Sequence, residues 1–144
     1  MAKLVSWCST EDHPGVQGEA NRLLAWTIKN SKRSEVIKTV AAASGVQCLV
    51  AMLAAEHAVM RNEALLALAM VAAVAGDLPE ETVQVLNDKT MAEHLCAILK
   101  EAKDEPTAAN ALAVVKLLIP IGILIQLVQL QIGAEYYCLQ PRRA

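Results

Sequence analysis

The stretch from Gly45 to Ala75, GVQCLVAMLAAEHAVMRNEALLALAMVAAVA, limits what this chain can fold into more than any other. It reads as two apolar helices joined by a short polar turn. Val46, Leu49, Val50 and Leu53 keep helical spacing in the first, Val46–Leu53. Met60, Ala64, Ala67, Leu68 and Val71 keep it in the second, Met60–Val74. Glu56-His57 lies between them, and Arg61-Asn62-Glu63 keeps the start of the second helix polar. A helix pair this apolar cannot bury its own surface, so it needs a similar pair on each side.

Copies are present on both sides. Upstream, LVSWCSTEDHPGVQGEANRLLAWTI begins at Leu4: Leu4-Val5 matches Leu49-Val50, Asp12-His13-Pro14 takes the place of Glu56-His57-Ala58, and Glu19-Ala20 falls on Glu63-Ala64. A third copy begins near Thr90, where Leu95 and Leu99 match Leu49 and Leu53. Ala20, Ala64 and Ala111 then stand 44 and 47 residues apart. This registration sets Lys116 on the half-exposed Ala69 position; a shift by one would bury its charge on the Leu68 position. A helical period of 40–47 residues is the mark of armadillo or HEAT arrays. Ser34–Ala43 and Pro79–Asn87 supply the lead-in helices of the second and third copies. Gly45 is expected to cap the first of these, Pro79 to sit in the first turn of the second, and Thr90 with Glu93 to form a capping box for the next helix.

The expected fold is therefore all-α, an armadillo-type right-handed superhelix of about two and a half repeats. Its domain spans 1–119, with units at about 1–31, 32–76 and 77–119, followed by an apolar capping helix and polar tail over 120–144. The third helices, 16–29, 60–74 and 108–118, should stack in parallel. The first copy starts inside its second helix, which reads as a piece of a longer array.

Composition excludes several function classes. Of 144 residues, 55% are hydrophobic and 19% charged, too apolar for disorder over most of the chain. Net charge is −2 with no Lys/Arg block, and aromatics are 3%, so neither a phosphate-binding footprint nor a base-stacking surface is expected, and no nucleic-acid partner. Cys8, Cys48, Cys96 and Cys138 form no C-x-x-C pair and read as buried thiols of a reducing compartment. The N-terminus has no long apolar run of a signal peptide, which implies a cytoplasmic protein. His13 and His57 fall in the same turn of successive copies and His94 on a helix, without metal-ligand spacing, so no metal and no cofactor is expected. No G-x-S-x-G, H-E-x-x-H or phosphate-cradling loop is present, and the chain reads as a non-catalytic binding module.

The segments GEANRLL at 18–24, VIKT at 36–39 and NEALLALA at 62–69 resemble the C-terminal armadillo repeats of the smgGDS family, the GDP-dissociation stimulators of Rap, Rho and related small GTPases. The resemblance is close over 4–75 and loose over 90–118, and after Ile119 the chain departs from the family's last helix. It implies a module that contacts small GTPases of the Rap/Rho type and promotes GDP release or chaperones them, at most as part of an exchange factor. The alternative within the fold is a generic armadillo scaffold with an unrelated partner.

In such arrays the third helix lines a concave groove. Arg22, Leu66 and Ala113 share one register there, and Trp26, Met70 and Leu117 the next, with Asn62 near the start of the second groove helix. Armadillo proteins usually carry Asn at the second register, and here it is apolar. Two readings stand: a groove for a partner helix or switch loop, or side chains that pack against further repeats or the tail. Acidic pairs at Glu11-Asp12, Asp77 with Glu80-Glu81, and Asp104-Glu105 read as solvated turns, or as an acidic rim that steers basic GTPase tails. Residues 117–134 carry no charge over 18 positions, barely a bilayer span, and make a membrane-associated protein the rival from another class. Pro120, Gly122 and three glutamines weigh against stable insertion; a cap over the array's end, or self-association through an uncovered stripe, are the other readings.

Overall fold

The computed structural model describes residues 1–121. Among them lie eight α-helices, α1 (Ala2–Cys8), α2 (Pro14–Ser31), α3 (Ser34–Ala42), α4 (Gly45–Met52), α5 (Ala58–Ala73), α6 (Glu80–Leu86), α7 (Lys89–Glu101) and α8 (Glu105–Leu118), with 3-10 turns at Ala75–Asp77 and Ile119–Ile121 and no strand. Helix is what this sequence favours: Ala and Leu dominate, and two of the five prolines stand in first helical turns. Pro14 opens α2 and Pro106 lies in the first turn of α8, where a missing N–H breaks no hydrogen bond. Asp104 Oδ1 accepts the Thr107 backbone N–H at 2.8 Å and caps α8.

Three local expectations are corrected. Gly45 does not cap α3; it opens α4, and Ser44 takes the left-handed conformation at φ 63°. Gly45 is required by close approach instead, because a Cβ there would lie 2.6 Å from Val40 Cγ1 and 3.1 Å from the Val40 carbonyl oxygen. Thr90 lies inside α7, which starts at Lys89 after Asp88 with no side-chain cap, so Thr90 and Glu93 form no capping box. Pro79 immediately precedes α6 and stands outside its first turn.

The third helices stack: α2 packs on α5 and α5 on α8. Asn62, near the start of α5, bonds Thr107 and Asn110, near the start of α8, so like ends lie side by side as a parallel stack requires. Behind this layer α1 packs on α2, α4 on both α2 and α5, and α7 on α8, while α3 and α6 flank α4. One continuous core runs through the layers. Leu24, Ile28, Leu49, Leu53, Leu65 and Leu68 are fully buried, as are Leu86, Met91, Leu95 and Leu118. Each such side chain contributes about 1.5–3 kcal/mol on leaving water.

Cys8, Cys48 and Cys96 are buried free thiols. Burial, and then the neighbouring Cys48, push the Cys8 thiol up to about 12, and burial also raises Cys96. α8 ends at Leu118, two residues before Pro120, as a proline that cannot continue the helix predicts. The expected capping helix and tail beyond Ile121 lie outside the described residues. Among those described, no single helix is long and apolar enough to cross a membrane; α3 and α4 together have the length but meet at a 93° bend.

Candidate partner-binding groove

The periodicity that buries one face of each third helix leaves another face open. Ala20, Leu24 and Ile28 of α2, Ala64, Leu68 and Ala72 of α5, and Ala111, Val115 and Leu118 of α8 lie in the core. Between these stripes the predicted groove positions face out. Trp26 is 59% exposed, Leu66 38% and Leu117 37%; Arg22 and Ala113 are exposed, and Met70 is half-buried against the core. One exposed or half-exposed apolar side chain thus stands at the same register of all three stacked helices, together with Leu66 one turn earlier on α5.

Charge gathers at one end of this strip. Arg22 reaches Glu63 of α5 at 3.6 Å and Glu19 of its own helix at 3.7 Å, ion pairs at the surface that add little stability and hold the guanidinium between two carboxylates. Asn62 is committed to its neighbours: its Nδ2 donates to Thr107 Oγ1 at 3.0 Å and its Oδ1 accepts from Asn110 Nδ2 at 3.3 Å. It ties α5 to α8. Sequence reasoning placed Asn62 in the groove and missed this bridge; the partners lie 45 and 48 residues away, near the repeat spacing.

The acidic turns do not make one rim. Glu11-Asp12 precede α2 and Asp104-Glu105 stand at the start of α8, whereas Asp77 and Glu80-Glu81 follow α5, which divides them between the two ends of the third helices. The Thr107 side chain and backbone N–H hold the Asp104 carboxyl below its usual range. His13 and His57 occupy the same position, immediately before α2 and α5, and both are exposed. Among the described residues no three His, Cys, Asp or Glu side chains converge as a metal site would need. Two shallow depressions, of about 440 and 460 Å³, lie away from the strip, between α4, α6 and α7 and at the α7–α8 turn.

Comparison with known proteins follows the same lines. No family model matches the chain. The Rap1 GTPase-GDP dissociation stimulator 1-A of Xenopus laevis is 49% identical over 72 residues, half of this chain and 12% of that protein. Its 1-B counterpart is 39% identical over 106 residues, 74% of this chain and 17% of the relative. The Drosophila melanogaster GTPase-GDP dissociation stimulator vimar is 31% identical over 114 residues, 58% of this chain and 18% of that protein. The chain thus spans less than a fifth of the length of each. Among solved structures, a designed armadillo repeat protein superposes with a TM-score of 0.62 at 21% identity, over 92% of this chain and 52% of that one. An engineered protein does so at 0.59 and 27% identity, over 81% of this chain and 44% of the other. The fold is that of an armadillo array.

Proposed function

We propose that this chain, an armadillo-repeat relative of the small-GTPase GDP-dissociation stimulators over half to three quarters of its length, is a protein-binding module that docks a small GTPase of the Rap or Rho type on its third-helix strip. The observation that carries this reading is the exposure of Trp26, Leu66 and Leu117 on consecutive stacked helices. A large aromatic anchor flanked by aliphatic side chains, with Arg22 beside it, is the composition of a binding hot spot. Covering these side chains with a partner's switch loop or helix removes apolar surface from water at about 25 cal/mol per Å².

Two activities follow from such contact. An array that holds the GTPase in a conformation with weaker affinity for GDP accelerates GDP loss, because a partner shifts an equilibrium by its differential affinity for the two states. An array that shields apolar surface acts as a chaperone. The acidic turns before α2 and α8 would draw in a basic GTPase tail. The module's units are those read from the period, about 1–31, 32–76 and 77–119.

Titration calorimetry with GDP-loaded Rap1 tests this reading. Trp26→Ser should weaken binding at least about tenfold, as loss of a hot-spot aromatic does, with little change in melting temperature. Equal affinity of wild type and variant would refute the strip as the docking site. Met70→Ser is a poorer probe, because Met70 also packs on the core.

A further inference from the structure

α1 is lightly held. Of its seven residues only Cys8 is buried; Leu4 and Val5 are half-buried and the others are exposed. It meets α4 at a point of close approach, where a Cβ added to Gly45 would come 3.3 Å from Val5 Cγ2. Cys8 follows Val5 by three residues on α1, and Cys48 follows Gly45 by three on α4. That spacing sets each cysteine one turn beyond the contact, on the same face of its helix. Both side chains are buried and both thiols are free, and they stand within hydrogen-bonding reach of each other.

While α1 is docked the pair is inert. The thiolate is the form that reacts with oxidants, and burial, then Cys48, push the Cys8 thiol up to about 12. A short helix with one buried side chain opens at far lower cost than the array unfolds. Opening carries Cys8 into water, where it returns towards its ordinary value of 9.0, and it takes from Cys48 the side chain that lies against it. Access to both sulfurs is therefore set by one event, the release of α1.

We propose that Cys8 and Cys48 form a redox-switched staple: reduced, they let α1 open and close, and oxidised by a small-molecule disulfide such as oxidised glutathione, they lock α1 to α4. The released Cys8 gives up its proton, and its thiolate attacks one sulfur of the oxidant, whose S–S bond breaks and expels a first thiolate. As α1 returns, Cys48 gives up its proton and attacks Cys8 Sγ in this mixed disulfide, expelling a second thiolate. The two protons end on the two departing thiolates. The protein loses two electrons and two hydrogens, and one oxidant disulfide becomes two thiols. The sulfurs must close to about 2.0 Å, which a small shift of the lightly held α1 supplies. Where thiols are otherwise kept reduced, a disulfide of this kind is transient and reports oxidation. The staple stands apart from the GTPase reading.

Treatment of the full chain with oxidised glutathione tests it. Trypsin, cutting after Lys and Arg, leaves each of the four cysteines on its own peptide, so mass spectrometry reads every linkage. The peptide of Cys8 should appear joined to that of Cys48. Amide hydrogen exchange in α1 should slow about tenfold or more on oxidation and recover with dithiothreitol, since a staple suppresses local opening. Cys48→Ala should abolish the slowing and leave Cys8 as a mixed disulfide with glutathione. In the reduced chain, iodoacetamide should label Cys8 and Cys48 together and ahead of Cys96, which is buried in α7. The proposal is overturned if the Cys8–Cys48 link does not form, or if links to Cys96 or Cys138 predominate. Equal exchange of α1 in both redox states overturns it too, as does labelling of Cys96 first. Should Cys48→Ala fail to fold, the oxidised and reduced wild type still decide by the same linkage and exchange.

Discussion

Asn21 is the most exceptional side chain of the core. It is 8% exposed, and its Oδ1 finds no hydrogen-bond partner among the described residues. The equivalent side chain on α5 is Leu65, fully buried. A buried polar atom without a partner costs free energy that an apolar replacement of similar shape avoids. Asn21→Leu should therefore raise stability by about 1 kcal/mol in urea melts. Two glycines give opposite outcomes. Gly45→Ala should destabilise by about 1–3 kcal/mol, because the stiff Val40 side chain and its carbonyl must move. Gly18, mid-helix in α2 with nothing within 4 Å of an added Cβ, should gain about 0.5–1 kcal/mol on replacement by Ala. Asp104 makes stability depend on pH. Its carboxyl ordinarily titrates at 3.8 and is held lower in the fold by Thr107, so its contribution is complete above that value and is lost as pH falls through the lowered one. Asp104→Asn keeps an acceptor for the Thr107 N–H but does not titrate. Its acid melting profile should be flatter than the wild type's below about pH 4.

At the scale of elements, the stack is held by apolar stripes and registered by a few polar bridges. Asn62 joins α5 to α8, and its loss would strand Thr107 Oγ1, which belongs to a buried residue, and Asn110 Nδ2. Asn62→Ala is expected to cost about 1–2 kcal/mol, and a double-mutant cycle with Thr107→Val should show that the two losses are not additive. A groove role for Asn62 without the bridge would give additive, small effects. The helices and their order were legible in the 3.6-residue apolar period, because that period is the burial pattern itself. Their ends were less so. The expected starts of the third helices, at 16, 60 and 108, fall two or three residues inside the observed ones, because Pro14-Gly15, Ala58-Val59 and Glu105-Pro106 are exposed and take no part in the burial period.

At the scale of the molecule, α5 is the keystone, packed by α2 on one side, α8 on the other and α4 behind. Leu68 at its centre is fully buried, while Leu23 on the outer side of α2 is 49% exposed. Leu68→Ala should cost about 3–5 kcal/mol and unfold the array as a unit, since it leaves a cavity in the buried face of the helix on which the others pack. Leu23→Ala should stay within about 0.5 kcal/mol of wild type. Similar losses at both sites in thermal melts would mean that the layers do not stack as described.

The all-α class, the order of helices and the line of outward-facing apolar positions on the third helices were in the sequence by itself, because each is set by spacing along one chain. Trp26, Leu66 and Leu117 could be placed on an open face from the same register that buried Leu24, Leu68 and Val115. Pairings between elements could not. Only the tertiary structure joined Asn62 to Thr107 and Arg22 to Glu63, set Cys8 beside Cys48, and divided the acidic turns between two ends of the stack. It also moved the left-handed residue from Gly45 to Ser44. A glycine reads alike whether it is needed for a positive φ or for a close approach, and the difference lies in Val40, whose nearness depends on how α3 turns into α4. Contacts of that kind follow from three-dimensional packing, which periodicity permits and does not specify.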